Sequence, residues 1–426
     1  MSCIINIDTL SWETRNKINT ELQIKLENNK YNANAPSKYI FPYDIVEDNI
    51  YLPFAYAYRQ LKLQRPDRNI FPSMSVEFVG TLRDEQNVVR EEALSLLGRK
   101  GSVMISCYTG FGKTIGSINL ACSIGFKTLI IVNKIVLMKQ WEESIFRFCP
   151  KARVQRLTPQ TKKKECDFYI MNAINVSKMN KDFFSDIGTV IVDEAHLIMA
   201  ETLSKSLQYV SPRYLIGLTA TPYRPDGLDI LLELYFGKYK IIRKLMRKHT
   251  AYKVETGFVP TVELAKNGKI NWGVVLDSQA NDETRNELII NIIQHFSDRT
   301  FLILVKRVNQ GNYLFTKLIE RGEHVTSLLG SQQEYDSSAR ILISTNSKCG
   351  TGFDHARLDT LLLAGDVEEY FIQYLGRVFR RPDVIPIIFD LVDNNGILKK
   401  HFNTRRSIYI EMGGNVKTLD MNILNN

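Results

Sequence analysis

Between Gly101 and Phe236 short β-rich apolar runs alternate with stretches whose apolar residues recur at helical spacing. The runs are VMIS (103–106), TLIIVN (128–133), DFYIM (167–171) and TVIVDEAH (189–196). Runs that stay apolar at consecutive positions are buried on both faces, which predicts a parallel sheet with helices packed on each side. The rhythm pauses after Tyr235, where a basic stretch, Lys238 to Lys253, leads into a segment reaching to about Asp282. It then resumes with TFLILV (300–305), RILIST (340–345), TLLLA (360–364) and IPIIFDLV (385–392).

The pattern predicts an α/β chain of two such lobes, one over 81–240 and one over 283–396. A linker over 241–282 joins them, and a short tail covers 397–426. Residues 1–80 read differently, with a polar helical start, an Asn/Lys-rich stretch and then aromatic, Pro-punctuated text from Tyr39 to Phe78. They are expected to form a small accessory domain covering an edge of the first lobe. No internal repeat or low-complexity segment stands out.

At 426 residues the chain is too long for one compact core, and 44% hydrophobic with 24% charged residues is ordinary for a folded protein. The charge of +9 favours a polyanionic partner and equally describes a basic solvated surface. No run approaches the roughly 18 to 20 apolar residues that span a bilayer, so a soluble intracellular protein without a membrane partner is expected. Six cysteines without a CxxC pair indicate neither a zinc site nor a disulfide framework.

The chemistry concentrates at two strand ends. Cys107-Tyr108-Thr109-Gly110-Phe111-Gly112-Lys113-Thr114 follows an apolar strand and opens a helix. In such a loop the glycines let backbone N–H groups turn toward phosphates, Lys113 neutralises β/γ charge and the Thr114 hydroxyl can ligate Mg²⁺. Cys107 stands where the general phosphate-loop pattern has Gly. Downstream, IGTVIVDEAHLIM places Asp193 and Glu194 at a strand end. There an Asp can hold the Mg²⁺ shell and the following Glu can activate the attacking water. Taken alone, a pair of carboxylates at a strand end is more often a solvated terminus.

The order of segments decides between these readings. Residues 78 to 392 resemble the superfamily 2 helicases, in particular their DEAH-lettered members, whose fold is two RecA-like P-loop lobes. In LRDEQ the resemblance implies that Gln86 reads adenine, assisted by Arg83. TLIIVNKIVLMKQW resembles the motif that touches nucleic-acid backbone and implies Lys134, Gln140 and Lys139 as contacts, although Asn133-Lys134 replaces the usual Pro-Thr. LTATPYRPDG contains Thr219, Ala220 and Thr221, which with His196 would couple hydrolysis to motion. Its extension through Arg224, Asp226 and Gly227 resembles repair, transcription and restriction motors.

In the second block STNSKCGTGFD resembles motif V, implying Thr345 on nucleic acid and Gly352 and Asp354 on ATP. QYLGRVFRR resembles motif VI, with Gln373 coupling and Arg377 and Arg380 stabilising γ-phosphate charge. The LPF turn and the FVGTLRDEQ entry narrow the likeness to helicases of large cytoplasmic DNA viruses, of the iridovirus and poxvirus transcript-release types.

The resemblance implies an ATP- and Mg²⁺-dependent motor that unwinds or tracks DNA or RNA through backbone contacts, in viral transcription, replication or repair, in company with that machinery. Two other classes stay open at this point: a clamp with a defunct ATPase, and the motor of a restriction or nuclease system. Intact Lys113, Asp193, Glu194, Arg377 and Arg380 argue against the first, and no nuclease constellation outside the motor motifs supports the second.

Overall fold

The apolar runs are strands, and each is buried on both faces as their continuity requires. The computed structural model describes residues 2–25, 39–198, 208–220, 228–265, 268–332, 334–349, 355–367 and 371–425. It divides into two units, 1–243 and 244–426.

The first unit begins with β1 (Ser2–Asn6), α1 (Trp12–Glu21), β2 (Ile24–Lys25), β3 (Tyr39–Ile40), β4 (Asp44–Val46) and β5 (Asn49–Pro53). β1, β5 and β4 form a small antiparallel sheet. The α/β run follows: α2 (Asp84–Lys100), β6 (Ser102–Cys107), α3 (Lys113–Ile124), β7 (Thr128–Val132), α4 (Ile135–Phe148), β8 (Val154–Leu157), β9 (Phe168–Asn172) and α5 (Ala173–Val176). It ends with β10 (Thr189–Val192), α6 (Ala195–Ile198), β11 (Tyr214–Thr219), α7 (Asp229–Phe236) and β12 (Lys240–Arg243). Seven of these strands make one parallel sheet in the order β12-β6-β11-β10-β7-β9-β8.

Alternate residues of each strand feed two cores. Met104, Leu129, Ile131, Val190 and Leu215 face one cluster, and Val103, Ile105, Ile130, Ile191 and Ile216 face the other. The first cluster also takes in Cys3, Leu10, Ile18, Leu52, Phe54 and Tyr56. Residues of this N-terminal segment therefore share a core with the sheet and fall in the first unit, packed more intimately than an accessory piece laid over an edge of the lobe.

The second unit contains β13 (His249–Glu255), α8 (Trp272–Asn281), α9 (Glu283–His295), β14 (Phe301–Val305), α10 (Val308–Glu320), β15 (Val325–Leu328), β16 (Ile341–Thr345) and α11 (Asn346–Cys349). β17 (Thr360–Leu363), α12 (Phe371–Val378), β18 (Ile387–Val392), α13 (Gly396–Glu411) and β19 (Gly414–Thr418) complete it. Its sheet is again seven parallel strands, ordered β15-β16-β14-β17-β18-β13-β19.

Two expected boundaries are corrected by this arrangement. The stretch 241–282 is not a bare linker, because β12 completes the first sheet and β13 sits between β18 and β19 in the second. Nor is 397–426 a mere tail, since α13 and β19 pack into the second unit. Both strands, HTAYKVE and GNVKT, lack the apolar run that marks a buried strand. Their pairing comes from backbone partners far away in sequence.

Candidate active site

Three neighbouring strands of the first sheet, β6, β11 and β10, end side by side, with Thr219 opposite Ser106 and Val192 opposite Gly217. Strands in a sheet lie about 4.8 Å apart, so the loop after Cys107, the residue Thr219 and the pair after Val192 occupy one edge. Ligands of open parallel sheets bind at this carboxyl edge.

The loop turns through Gly110 and Gly112, each at φ 90°, a left-handed backbone that glycine adopts without strain. A Cβ on Gly112 would also run into the Gln86 amide. Gly112 is the N-cap of α3 and supplies no side-chain cap, so the first-turn N–H groups face the loop without one. Lys113 Nζ donates to the Cys107 carbonyl at 2.8 Å and to that of Tyr108 at 3.4 Å, which folds the ammonium back over the loop. The half-buried Thr114 stands in the same turn and Thr109 is half-buried in the loop.

The Cys107 thiol lies wholly inside the core, and burial pushes it up to about 11. Only its backbone is available to a ligand. Phe111 is likewise core, meeting Tyr108 edge-on at 5.5 Å. Arg83 and Gln86 reach the loop from the start of α2. Gln86 Nε2 donates to the Phe111 carbonyl at 2.8 Å, its Oε1 accepts from Arg83 N at 2.9 Å, and Arg83 Nη2 donates to the same Phe111 carbonyl.

Just past the end of β10, Asp193 N donates to the Ile131 carbonyl at 2.9 Å. The Asp193 carboxylate accepts from Glu194 N at 3.0 Å on Oδ1 and from Trp141 Nε1 at 2.8 Å on Oδ2. Asp193 is half-buried as a residue, protein crowds its carboxyl, and burial followed by the Glu194 charge pushes it up to about 6. Glu194 takes φ 48°, a left-handed conformation unusual for a residue with a side chain and a local strain of the sort found at working sites. Buried His196 Nδ1 lies 2.7 Å from buried Thr219 Oγ1 and 3.5 Å from Glu194 Oε2, joining the acidic pair to the end of β11. Ala220 follows at a bend. Lys134 is exposed at the N-cap of α4, Gln140 is half-buried, and Lys139 projects outward beside Glu143 at 3.8 Å.

In the second unit Phe371, Tyr374, Leu375 and Val378 form the buried stripe of α12, which leaves Gln373 and Arg377 on its half-exposed face. Arg380 lies just beyond the helix, and burial lowers it while Tyr335 opposes that effect. Tyr335 also feels Arg377 and stacks on His355 at 5.8 Å. Tyr374 Oη donates to the Asn346 carbonyl at 3.1 Å, fastening α12 beside the end of β16, where Thr345 is half-buried. Thr221, Arg224, Asp226, Gly227, Gly352 and Asp354 lie outside the described residues.

Much of the basic stretch 238–253 is spent within the protein. Arg243 pairs with Glu92 and Lys244 with Glu411, each at 2.6 Å. Arg247 donates to the carbonyls of Phe379, Arg381 and Val384, and Lys253 pairs with Glu255. Several charges of this stretch are therefore already matched by groups of the protein itself. Trp141, which the sequence offered only as the last letter of TLIIVNKIVLMKQW, is set by the fold against Asp193.

A family profile described as "Type III restriction enzyme, res subunit" matches residues 80–224. The chain is 46% identical to "Putative helicase 161L" of Invertebrate iridescent virus 6, with 98% of this chain and 99% of that protein covered. It is 32% identical to "Putative helicase 055L" of Frog virus 3, over 86% of each. It is also 24% identical to the "Putative ATP-dependent RNA helicase L396" of Acanthamoeba polyphaga mimivirus, over 97% of this chain and 85% of that one. Among solved structures, S. cerevisiae Dbp5 bound to RNA and ADP BeF3 shares the fold with a TM-score of 0.55 at 13% identity, over 85% of this chain and 92% of that chain.

Proposed function

Because the chain belongs to the superfamily 2 helicases of large DNA viruses, we propose that it hydrolyses ATP at the carboxyl edge of the first sheet and uses the cycle to move along or unwind nucleic acid. One observation carries this reading: the glycine-turned loop, the Asp193/Glu194 pair and the His196–Thr219 contact stand on the ends of three adjacent strands.

Gly110, Gly112 and the start of α3 cradle the phosphates, and Lys113 leaves its carbonyl partners to neutralise them. Arg83 and Gln86, already bonded to the loop at Phe111, sense the base and tie its presence to the loop's shape. Mg²⁺ fits the donors present: a crowded carboxyl whose charge is disfavoured by burial and by Glu194, with the Thr114 hydroxyl opening α3. Bound there, Mg²⁺ supplies charge neutralisation of the phosphate oxygens. Asp193 holds that shell and Glu194 takes a proton from the attacking water. His196 passes the state of the acidic pair to Thr219 and to the segment beyond it. Arg377 and Arg380, presented by α12 and its end, supply positive charge to the transferring γ-phosphate.

Lys134, Gln140 and Thr345 meet the nucleic-acid backbone, which predicts little sequence preference and binding that weakens steeply with salt. The test is ATP turnover with single- and double-stranded DNA, RNA and hybrids, for wild type beside K113A and E194Q. Nucleic acid is expected to raise the wild-type rate and leave both variants inert. A wild-type rate indifferent to every nucleic acid refutes the motor, equal rates in all three proteins point to a clamp, and cleaved substrate points to a nuclease motor.

A further inference from the structure

Trp141 is the largest side chain buried among the described residues, 2% exposed in the core between α4 and the sheet. Phe or Leu would satisfy that core, whereas an indole brings in addition one N–H donor and no acceptor. That donor is spent on Asp193 Oδ2 at 2.8 Å, while Glu194 N holds Oδ1 at 3.0 Å. Each oxygen of the carboxylate is thereby fixed by one N–H group, from elements 52 residues apart in one case and adjacent in the other. Hydrogen bonds to a charged acceptor are about twice as strong as neutral ones and more directional, so the clamp selects one orientation of the carboxyl group.

We infer that Trp141 is a positioning residue of the ATPase. Its indole N–H locks the rotation of Asp193, so that the lone pairs left over on both oxygens present a preformed half-shell to Mg²⁺. This rests on the ATPase reading above and deepens it. Without the indole only Glu194 N restrains the carboxyl, Oδ2 loses its fixed direction, and cation binding must first restore it. The effect belongs to the metal-dependent part of nucleotide binding and leaves the phosphate loop itself untouched.

The test measures binding of a fluorescent ADP analogue to the full chain, in Mg²⁺ and in EDTA. W141F keeps an aromatic ring in the core, smaller than the indole, and loses the donor. It is expected to weaken binding in Mg²⁺ by about tenfold or more and to leave binding in EDTA unchanged. D193A is expected to lose the Mg²⁺ advantage outright, and W141F/D193A to lose no more than D193A. Equal weakening with and without Mg²⁺, no weakening in either, or losses that multiply in the double variant would each overturn the role of Trp141.

A second measurement keeps the indole in place. Trp12 and Trp272 are the other two tryptophans, 77% and 37% exposed, so W12F/W272F leaves Trp141 as the sole indole emitter. Its emission is expected to shift when Mg²⁺ and ADP are added together and to stay fixed with ADP in EDTA. An emission blind to Mg²⁺ overturns the proposal. A wild type that gains nothing from Mg²⁺ overturns the ATPase reading and this inference together, whereas a normal wild type beside an unaltered W141F overturns this inference alone.

Discussion

Acid should disarm the site well above the range where an ordinary aspartate titrates. Burial and the neighbouring Glu194 push Asp193 from 3.8 up to about 6. That is about two pH units, and at 1.36 kcal/mol per unit it amounts to about 3 kcal/mol between its protonated and ionised forms. The folded value is raised, so the fold favours the protonated carboxyl. The stability this contributes is full below about pH 3.8 and is lost as pH rises through about 6. At pH 7 the free protein therefore holds a charge it disfavours, and a cation relieves it.

Two consequences are measurable. At limiting Mg²⁺, kcat/KM for ATP should fall about tenfold between pH 7 and pH 5 with a midpoint near 6. Above its dissociation constant, each tenfold rise in Mg²⁺ should move that midpoint down by about one pH unit, because proton and cation compete for one carboxylate. Thermal melts should show a larger gain from Mg²⁺ and ADP at pH 7.5 than at pH 5.5. In E194Q the like charge is gone, and the pH at which that gain disappears should move lower. A midpoint near 4 that ignores Mg²⁺, or a gain equal at both pH values, would refute the reasoning.

Other substitutions probe separate parts of the molecule. T219V removes the hydroxyl 2.7 Å from His196 Nδ1 in a buried setting and should cost about 1–3 kcal/mol in urea unfolding. It should reduce strand separation or translocation more than ATP binding, and equal loss of both would contradict a coupling role. G112A meets both a φ of 90° and the Gln86 amide, so nucleotide binding should fall below detection in a fluorescence titration while the fold survives. D390N leaves buried Arg405, held by two bonds of 2.8 Å to Asp390, short of a counter-charge. It should destabilise the second unit by roughly 3–5 kcal/mol. Asp366, 2.8 Å from the same guanidinium, sets the result toward the lower figure, and an unchanged urea midpoint would refute it.

The strands that carry the site were legible because burial on both faces leaves a mark on consecutive residues. TLIIV, TVIV, FLILV and IIFDLV stand in the fold where their apolar runs place them. The phosphate loop was legible for a related reason, since its glycines answer a local backbone demand that φ 90° makes visible at Gly110 and Gly112. No such mark exists for β13 and β19, whose polar sequences become strands only beside partners more than a hundred residues away. Nor does charge density reveal that Arg247 is consumed by three carbonyls.

By itself, then, the sequence determined what local physics dictates: two blocks of buried parallel strands, a glycine-turned loop opening a helix, and carboxylates at a strand end. Tertiary structure alone decided what depends on distance between remote residues. It set β6, β11 and β10 edge to edge, joined His196 to Thr219, raised Asp193 by burying it beside Glu194, and aimed the Trp141 indole at that carboxylate. Hydrogen bonds and desolvation act over a few ångströms of space, and no spacing along the chain encodes them.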